Sequence, residues 1–367
     1  MLLIQSERNA LLSALSAVVG VVERRHTLPI LSNLLLMKSG GKLTLLATDL
    51  ELQISTQLDA QAGEDFSITI AARKLFDIVR ALPDNAQVKL DSKDSQVVVS
   101  AGKSRFTLQT LPAADFPRVE TGAGLGDAIR LPQKTLKRLL QLVQFSMASQ
   151  DIRYYLNGML LVLDGTALRV VATDGHRLAY AETTLETAAE PREVIIPRKT
   201  VLELSKLLAD TDDAVELRIG ANQVTIALPG TELVTKVVDG KFPDYQRVIP
   251  TSQPRQLKAN RPLVTQALQR AAILSNEKFR GVRLVMSENT LGIVCNNTEQ
   301  EEAADEIEVD YHGDPLDVGF NVTYLLDGLS AVSNDSITLS LGDANSSMLL
   351  TSEGEPGFKY VVMPMRI

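Results

Sequence analysis

Tryptophan is absent from this chain of 367 residues, histidine occurs three times, and cysteine once, as Cys295. One cysteine excludes an intramolecular disulfide and a zinc site built from several thiolates. It fits a reducing, cytoplasmic setting. Aromatic residues make up 4% of the sequence, so the cores are expected to consist of Leu, Val, Ile and Ala. No apolar run approaches the roughly 20 residues of a membrane span. Met1 to Asn9 lacks the basic start and long apolar stretch of a secretory signal. There is no Walker-type phosphate loop, no GxGxxG and no HExxH. No cofactor, metal or membrane partner is therefore predicted. Positive charge is also in deficit: 37 Lys and Arg face 45 Asp and Glu, a net charge of -8. That weighs against nucleic acid as a partner, although net charge does not describe the local surface.

What the sequence does contain is a threefold repeat, the first feature to seek in a chain of this length. Lys42–Leu50 reads KLTLLATDL, Ala167–Gly175 reads ALRVVATDG, and Thr290–Thr298 reads TLGIVCNNT. Ala47 and Ala172 are 125 residues apart, and Cys295 follows 123 residues later. A second segment recurs as Ile70–Leu82, Ile195–Leu207 and Val318–Ser330, with Arg73-Lys74 and Arg198-Lys199 again 125 residues apart. Phe116-Pro117 and Phe242-Pro243 close their copies at nearly the same offset. These markers define three copies of a domain of about 120 residues, at 1–123, 127–250 and 254–367. Glycine-rich Thr121–Asp127 and proline-containing Ile249–Arg255 read as the linkers.

Each copy shows two apolar stripes at helical spacing. The earlier stripes are Leu11, Leu12, Leu15, Val18, Val19 and Val22; Leu136, Leu139, Leu140 and Val143; and Val264, Ala267, Leu268 and Ala271. The later ones are Leu75, Ile78, Val79 and Leu82; Val201, Leu204 and Leu208; and Val322, Leu325, Leu326 and Leu329. Between them, apolar residues alternate with period two, as in Val97, Val99 and Ala101, and Asp164-Gly165 is a hairpin signal. The predicted class is α+β: three repeated domains, each with two helices packed on antiparallel sheets. The six helices with their caps (7–25, 72–82, 133–145, 197–208, 261–274 and 321–332) carry +9 together, leaving near -17 elsewhere. A solvated basic face on each helix is one explanation. Five helices of one sign favour a shared positive surface, and helices lining a ring would offer Lys and Arg to duplex phosphates without reading sequence.

Six further stretches carry a likeness: RHTLPILSN at Arg25–Asn33, LPAADFP at Leu111–Pro117, DIRYYLNG at Asp151–Gly158, ATDGHRL at Ala172–Leu178, ILSNEKFRG at Ile273–Gly281 and YVVMPMR at Tyr360–Arg366. They resemble the bacterial DNA polymerase III β subunit family over the whole chain. The resemblance implies protomers joined head to tail as a homodimer, closing a six-domain ring around DNA that confers processivity and is not an enzyme. The partners it implies are double-stranded DNA, the polymerase III catalytic subunit, the clamp loader, and other polymerases and repair proteins bearing clamp-binding peptides. It assigns duplex contacts to Arg25, Arg73, Gln150, Tyr154 and Tyr155, with burial as the alternative for the tyrosines. It assigns a peptide pocket to Leu156, Thr173, Gly175, His176, Arg177, Leu178, Pro243, Arg247, Val248, Val361, Val362, Met363, Pro364 and Met365. Methionine suits such a surface because it adapts to several partners. The terminal segment also reads as a buried last strand; Pro364 argues against a central position for it and leaves an edge strand open. At the dimer seam, Phe106 and Leu108 are expected to meet Ile273 and Leu274, with Lys103 and Arg105 facing Glu299, Glu301 and Glu302. Gln96 and Ser100 stand where family relatives carry arginine, which thins the ion pairs expected there.

A nuclease is the rival class, since Asp49 and Asp174 follow strands and paired acids can hold Mg²⁺. They occupy equivalent places in different copies, and the third copy has Asn297 there; a turn role explains all three. His176 has no neighbouring nucleophile, His26 and His312 are isolated, and Cys295 reads as a core residue. No catalytic residue is predicted.

Overall fold

The computed structural model describes residues 1–23, 28–59, 64–120, 122, 124–276 and 278–366. The first copy runs β1 (Leu2–Glu7), α1 (Arg8–Val19), β2 (Asn33–Ser39), β3 (Lys42–Thr48), β4 (Leu52–Asp59), β5 (Phe66–Ala71), α2 (Ala72–Ala81), β6 (Gln87–Lys93), β7 (Gln96–Ala101) and β8 (Ser104–Gln109). The second runs β9 (Ile129–Pro132), α3 (Gln133–Val143), β10 (Gly158–Thr173), β11 (Arg177–Pro197), α4 (Arg198–Leu207), β12 (Ala214–Ile219), β13 (Gln223–Leu228), β14 (Thr231–Lys236) and a short α5 (Tyr245–Val248). The third runs β15 (Arg255–Asn260), α6 (Arg261–Ala272), β16 (Gly281–Ser287), β17 (Thr290–Asn296), β18 (Glu302–Glu308), β19 (Leu316–Asn321), α7 (Val322–Ala331), β20 (Ser336–Leu341), β21 (Met348–Ser352) and β22 (Lys359–Val362).

The repeat recurs in hydrogen bonds as well as in sequence. The first amide of α1, α3 and α6 donates to Ala86, Asp213 and Asp335 respectively, so Arg8, Gln133 and Arg261 are equivalent. The stripe Leu11, Ala14, Leu15 and Val18 is buried, as are its counterparts in α3 and α6. Asn260 and Asn321 cap α6 and α7 by accepting from first-turn amides. Two expectations are corrected. In the first copy the helical stripe reads through Val22, but the helix ends at Val19; in the second the helix ends with its stripe at Val143, and a tighter turn over Gln144–Ser146 follows. In the third copy the later helix starts at Val322, so Ile70 matches Phe320 rather than Val318.

The chain divides into two compact units, Met1–Lys134 with Leu202–Val237, and Thr135–Val201 with Val238–Ile367. The first holds an eight-stranded sheet, β5-β2-β3-β4-β14-β13-β12-β9, and a four-stranded sheet, β1-β6-β7-β8. The second holds a six-stranded sheet, β10-β11-β22-β21-β20-β15, and a four-stranded sheet, β18-β17-β16-β19. The eight-stranded sheet joins copies one and two through β4 and β14, with Ile54 opposite Leu233. The six-stranded sheet joins copies two and three through β11 and β22, with Ala179 opposite Tyr360. Leucine, valine and isoleucine fill the interior, as the composition required. The β10–β11 ladder breaks around Asp164-Gly165, where Gly165 takes a φ of 60° and the partner shifts from Arg192 before it to Thr184 after it.

Candidate functional site

The residues assigned to a peptide pocket lie in the second unit, around the β11–β22 joint. Leu178 and Val361 pair across that joint and pack with Leu160, Val171, Ile195 and Phe242 in one buried cluster. Tyr155, Tyr245 and Ile249 lie half-buried against it. Around this floor stand exposed apolar groups: Val248 is 41% and Met363 49% exposed. Val361 and Val362 occupy a central strand, contrary to the expectation drawn from Pro364; the strand ends at Val362, so the proline lies beyond the ladder. Successive strand residues point to opposite faces, so the fully buried Val362 side chain lies on the face opposite Val361. Leu156 is buried at the end of the Tyr154–Leu156 turn. Pro243 is exposed, and Arg247 on α5 pairs with Asp244 at 2.9 Å.

The 174–177 turn forms one rim. Asp174 accepts from the amides of His176 (2.9 Å) and Arg177 (3.1 Å), while the Thr173 hydroxyl donates to the Arg177 carbonyl at 2.6 Å. Gly175 takes a φ of 91°, where a side chain would be strained and would press on the Arg153 guanidinium. The tail then ties down the opposite rim. The Met363 amide donates to the His176 carbonyl (2.9 Å), and the Met365 amide to the Gly319 carbonyl (2.8 Å) on β19. Asp49 and Asn297 cap their own turns as Asp174 does, so the turn role expected for all three holds.

The Arg177 side chain is largely buried and fully engaged within the protein. Its guanidinium is 11% exposed and donates to Asp174 (3.1 Å), Asp327 (2.5 Å) and the Phe145 carbonyl (2.8 Å). It lies 4.4 Å from the Tyr324 ring centroid and 5.5 Å from that of Phe145. Burial works against the charge, but Tyr360, Asp327 and Asp174 outweigh it and hold the pKa above its ordinary value. Tyr324 also stacks against His176 at 6.5 Å, and its carbonyl accepts from the Tyr360 hydroxyl. Sequence reasoning missed Tyr324 and Asp327. The only signal was that α7 lacks the basic charge of the other five helices.

Among the duplex-contact residues, Arg25 lies outside the described residues, as do Arg24 and His26. Gln150 is exposed at a φ of 57°. Tyr154 is 58% exposed, whereas Tyr155 packs on the pocket floor. Asp151 and Arg153 brace this loop, and the Arg153 hydrogen bonds lower the Asp151 pKa to about 2. Most helical cations are matched by carboxylates: Arg8 by Asp84, Arg80 by Asp77, Lys134 by Asp212, Arg138 by Glu355, Lys206 by Glu203, Arg261 by Asp335 and Arg270 by Asp305. Among the described residues Lys74 and Lys137 have no such partner, and Arg73 and Arg198 donate only to backbone carbonyls.

The residues assigned to the seam sit on two sheet edges. Arg105 and Phe106 are exposed on edge strand β8, Lys103 is exposed in the turn before it, and Leu108 is buried. Glu299, Glu301 and Glu302 are exposed at edge strand β18. Ile273 is 78% exposed and Leu274 half-buried after α6; Phe279 is 55% exposed nearby in sequence and was not anticipated. His312, read as isolated, contacts Glu288 at 2.6 Å. Cys295 is buried, and burial raises its thiol pKa. Among the described residues no cluster of His, Cys, Asp or Glu is arranged to hold a metal, and no helix is long and apolar enough to cross a membrane.

Fold and site define a protein of three tandem clamp domains, with an apolar surface at one joint. Family models for the DNA polymerase III beta subunit match its N-terminal domain to residues 2–120, its central domain to 130–244 and its C-terminal domain to 246–366. The chain belongs to this family. It is 47% identical to the beta sliding clamp of Pseudomonas putida and 45% identical to that of Escherichia coli, each over 98% of this chain and 99% of the relative. It superposes on the DNA polymerase III subunit beta of Pseudomonas aeruginosa with a TM-score of 0.94 at 45% identity, covering 99% and 100% of the two chains. A Pseudomonas aeruginosa sliding clamp bound to griselimycin matches with a TM-score of 0.95 at 44% identity, covering both chains fully.

Proposed function

We propose that two copies of this chain close head to tail into a ring around duplex DNA and tether the replicative polymerase and other DNA-processing proteins. The ring has no catalytic role and works in the cytoplasm. The domains divide at 1–123, 127–250 and 254–367. One observation carries this reading: both joints within the chain follow a single rule, and the rule leaves two strands unmatched.

In the hairpins that feed the joints, Leu233 pairs with Ile226 and Tyr360 with Leu350; the counterpart pair in the first copy is Phe106 with Val99. On the other side, Ile54 pairs with Ala47 and Ala179 with Ala172; the counterpart pair in the third copy is Ala303 with Cys295. Applying the same joint once more sets Phe106 of one protomer opposite Ala303 of the next. Thr107 then faces Glu302, and Leu108 faces Glu301. The helix end supports the same pairing. Phe145, twelve residues after Gln133, sits edge-on to Tyr360 at 5.2 Å; twelve residues after the equivalent Arg261 stands Ile273, which would reach Phe106. The two edges carry opposite charge, and a contact between unlike edges closes a ring when its rotation closes.

Lys74, Lys137, Arg73 and Arg198, with Arg25, Gln150, Tyr154 and Tyr155, are the groups suited to the duplex. Contacts to phosphates alone would permit sliding. The cleft floored by Leu178 and Val361 suits short apolar peptides of the polymerase, the clamp loader and repair proteins. The test is gel filtration of clamp loaded on circular plasmid before and after linearisation. Clamp retained on circles and lost from cut DNA is expected. Equal retention on both forms would mean ordinary nonspecific binding, and Mg²⁺-dependent nicking would mean a nuclease.

A further inference from the structure

We infer that Asp327 and Arg177 form a positioning pair that holds the peptide cleft open for its ligand, and that the pair is dispensable for the joint itself. The inference rests on the peptide-pocket reading. The chain contains its own control, because the first joint is built from equivalent strands. There the turn capped by Asp49 places Leu52 where the turn capped by Asp174 places Arg177. Leu52 is buried, with 1% exposure. On the later helices, counting from the first residue of each, Asp327 corresponds to Glu203 and Tyr324 to Thr200; Glu203 pairs with Lys206 on its own helix, so among the described residues the first joint has no ion pair across this corner.

A leucine therefore suffices to pack this corner of a joint. A buried ion pair is seldom more stabilising than well-packed apolar groups of similar size, so packing does not explain the arginine. What the arginine does is local to the cleft. It fastens the 174–177 turn to α7 through Asp327, and to the chain after α3 through the Phe145 carbonyl. It also lies against one face of Tyr324, whose ring stacks on His176. The His176 carbonyl in turn accepts from Met363, which forms the opposite rim. One guanidinium thus fixes the position of both rims relative to the floor without touching the ligand.

The experiment removes the pair, with the first joint's leucine at 177 and an apolar residue of similar size at 327, Arg177→Leu with Asp327→Leu, and measures griselimycin affinity, melting temperature and hydrogen exchange at Gly175 and His176. The expected result is a dimer that melts within a few degrees of the parent, exchanges faster in the turn and binds griselimycin at least tenfold more weakly. Asp327→Asn alone should weaken binding severalfold, and Asp327→Glu should recover most of it. Met363→Ala serves as the pocket reference. If Met363→Ala weakens binding while the leucine pair and Asp327→Asn bind like the parent, the positioning role is overturned and the pocket stands. If no variant weakens binding, the pocket reading fails and takes this inference with it. Failure of the leucine pair to fold, or a large fall in melting temperature, would make the ion pair structural and overturn the claim that the joint does not need it.

Discussion

The first and second joints use equivalent strands in the same register, yet they finish their surfaces differently. At the first, Gln53 stands where the second has Leu178, and its amide both donates to and accepts from the backbone of Val119. Lys236 stands where the second has Met363. Its amide donates to the Glu51 carbonyl as Met363 donates to His176, but its side chain also pairs with Glu51 at 3.2 Å. The small residue has changed sides as well. At the first joint Gly20 makes room for the Glu203 carboxylate, whereas at the second Gly328 makes room for the Tyr360 ring, and Phe145 occupies the counterpart of Gly20. Polar closure at one joint and apolar exposure at the other show how a triplicated scaffold carries one cleft in a chosen place. The strand pairing supplies the joint, and a handful of side chains decides whether it binds anything.

The comparison extends to the third joint proposed between protomers, and that extension is the easiest to break. Ile273→Ala with Leu274→Ala removes apolar groups that the rule assigns to the seam. Each truncation of a well-buried Ile or Leu costs about 2–5 kcal/mol, so monomers are expected at dilute concentration in sedimentation experiments. A dimer that persists would refute the placement. Gly328→Ala comes next. Its methyl group would lie 2.4 Å from Tyr360 ring atoms, so overpacking should cost about 1–3 kcal/mol in denaturant melts. Gly20→Ala meets only the end of the Glu203 side chain and should cost clearly less. Equal losses would mean that the two glycines do not play the contrasting roles described.

Met363→Ala with Met365→Ala should lower affinity for polymerase peptide by roughly five- to tenfold, near 1 kcal/mol of lost apolar contact, and leave the dimer intact. Unchanged affinity in titration calorimetry would remove these residues from the pocket. Lys236→Ala should change stability by no more than about 1 kcal/mol, because the Lys236–Glu51 pair is solvent-exposed. The smallest effect concerns the loop beside the cleft. The folded-state pKa of Asp151 is depressed, so its contribution to loop order is present above the ordinary carboxylate value and is lost as pH falls through about 2. An NMR titration of Asp151 with a midpoint near 3.8 would detach it from Arg153.

By itself, the sequence determined the triplication, the six helices and the α+β class, because periodicity and spacing are local properties that survive in a string of letters. It also marked the charged strands assigned to the proposed seam, since Lys103, Arg105 and the glutamates after Cys295 can be read one residue at a time. Only the tertiary structure decided which strands pair across copies, because a period of two fixes a strand's faces and not its partner. That is why Val361 and Val362 turned out to lie in a central strand, despite Pro364 two positions on. It is also why Asp327, 150 residues from Arg177, gave no sign of its pairing. An ion pair between distant segments leaves no periodic trace, since the chain records what each residue is and the fold alone determines what it meets.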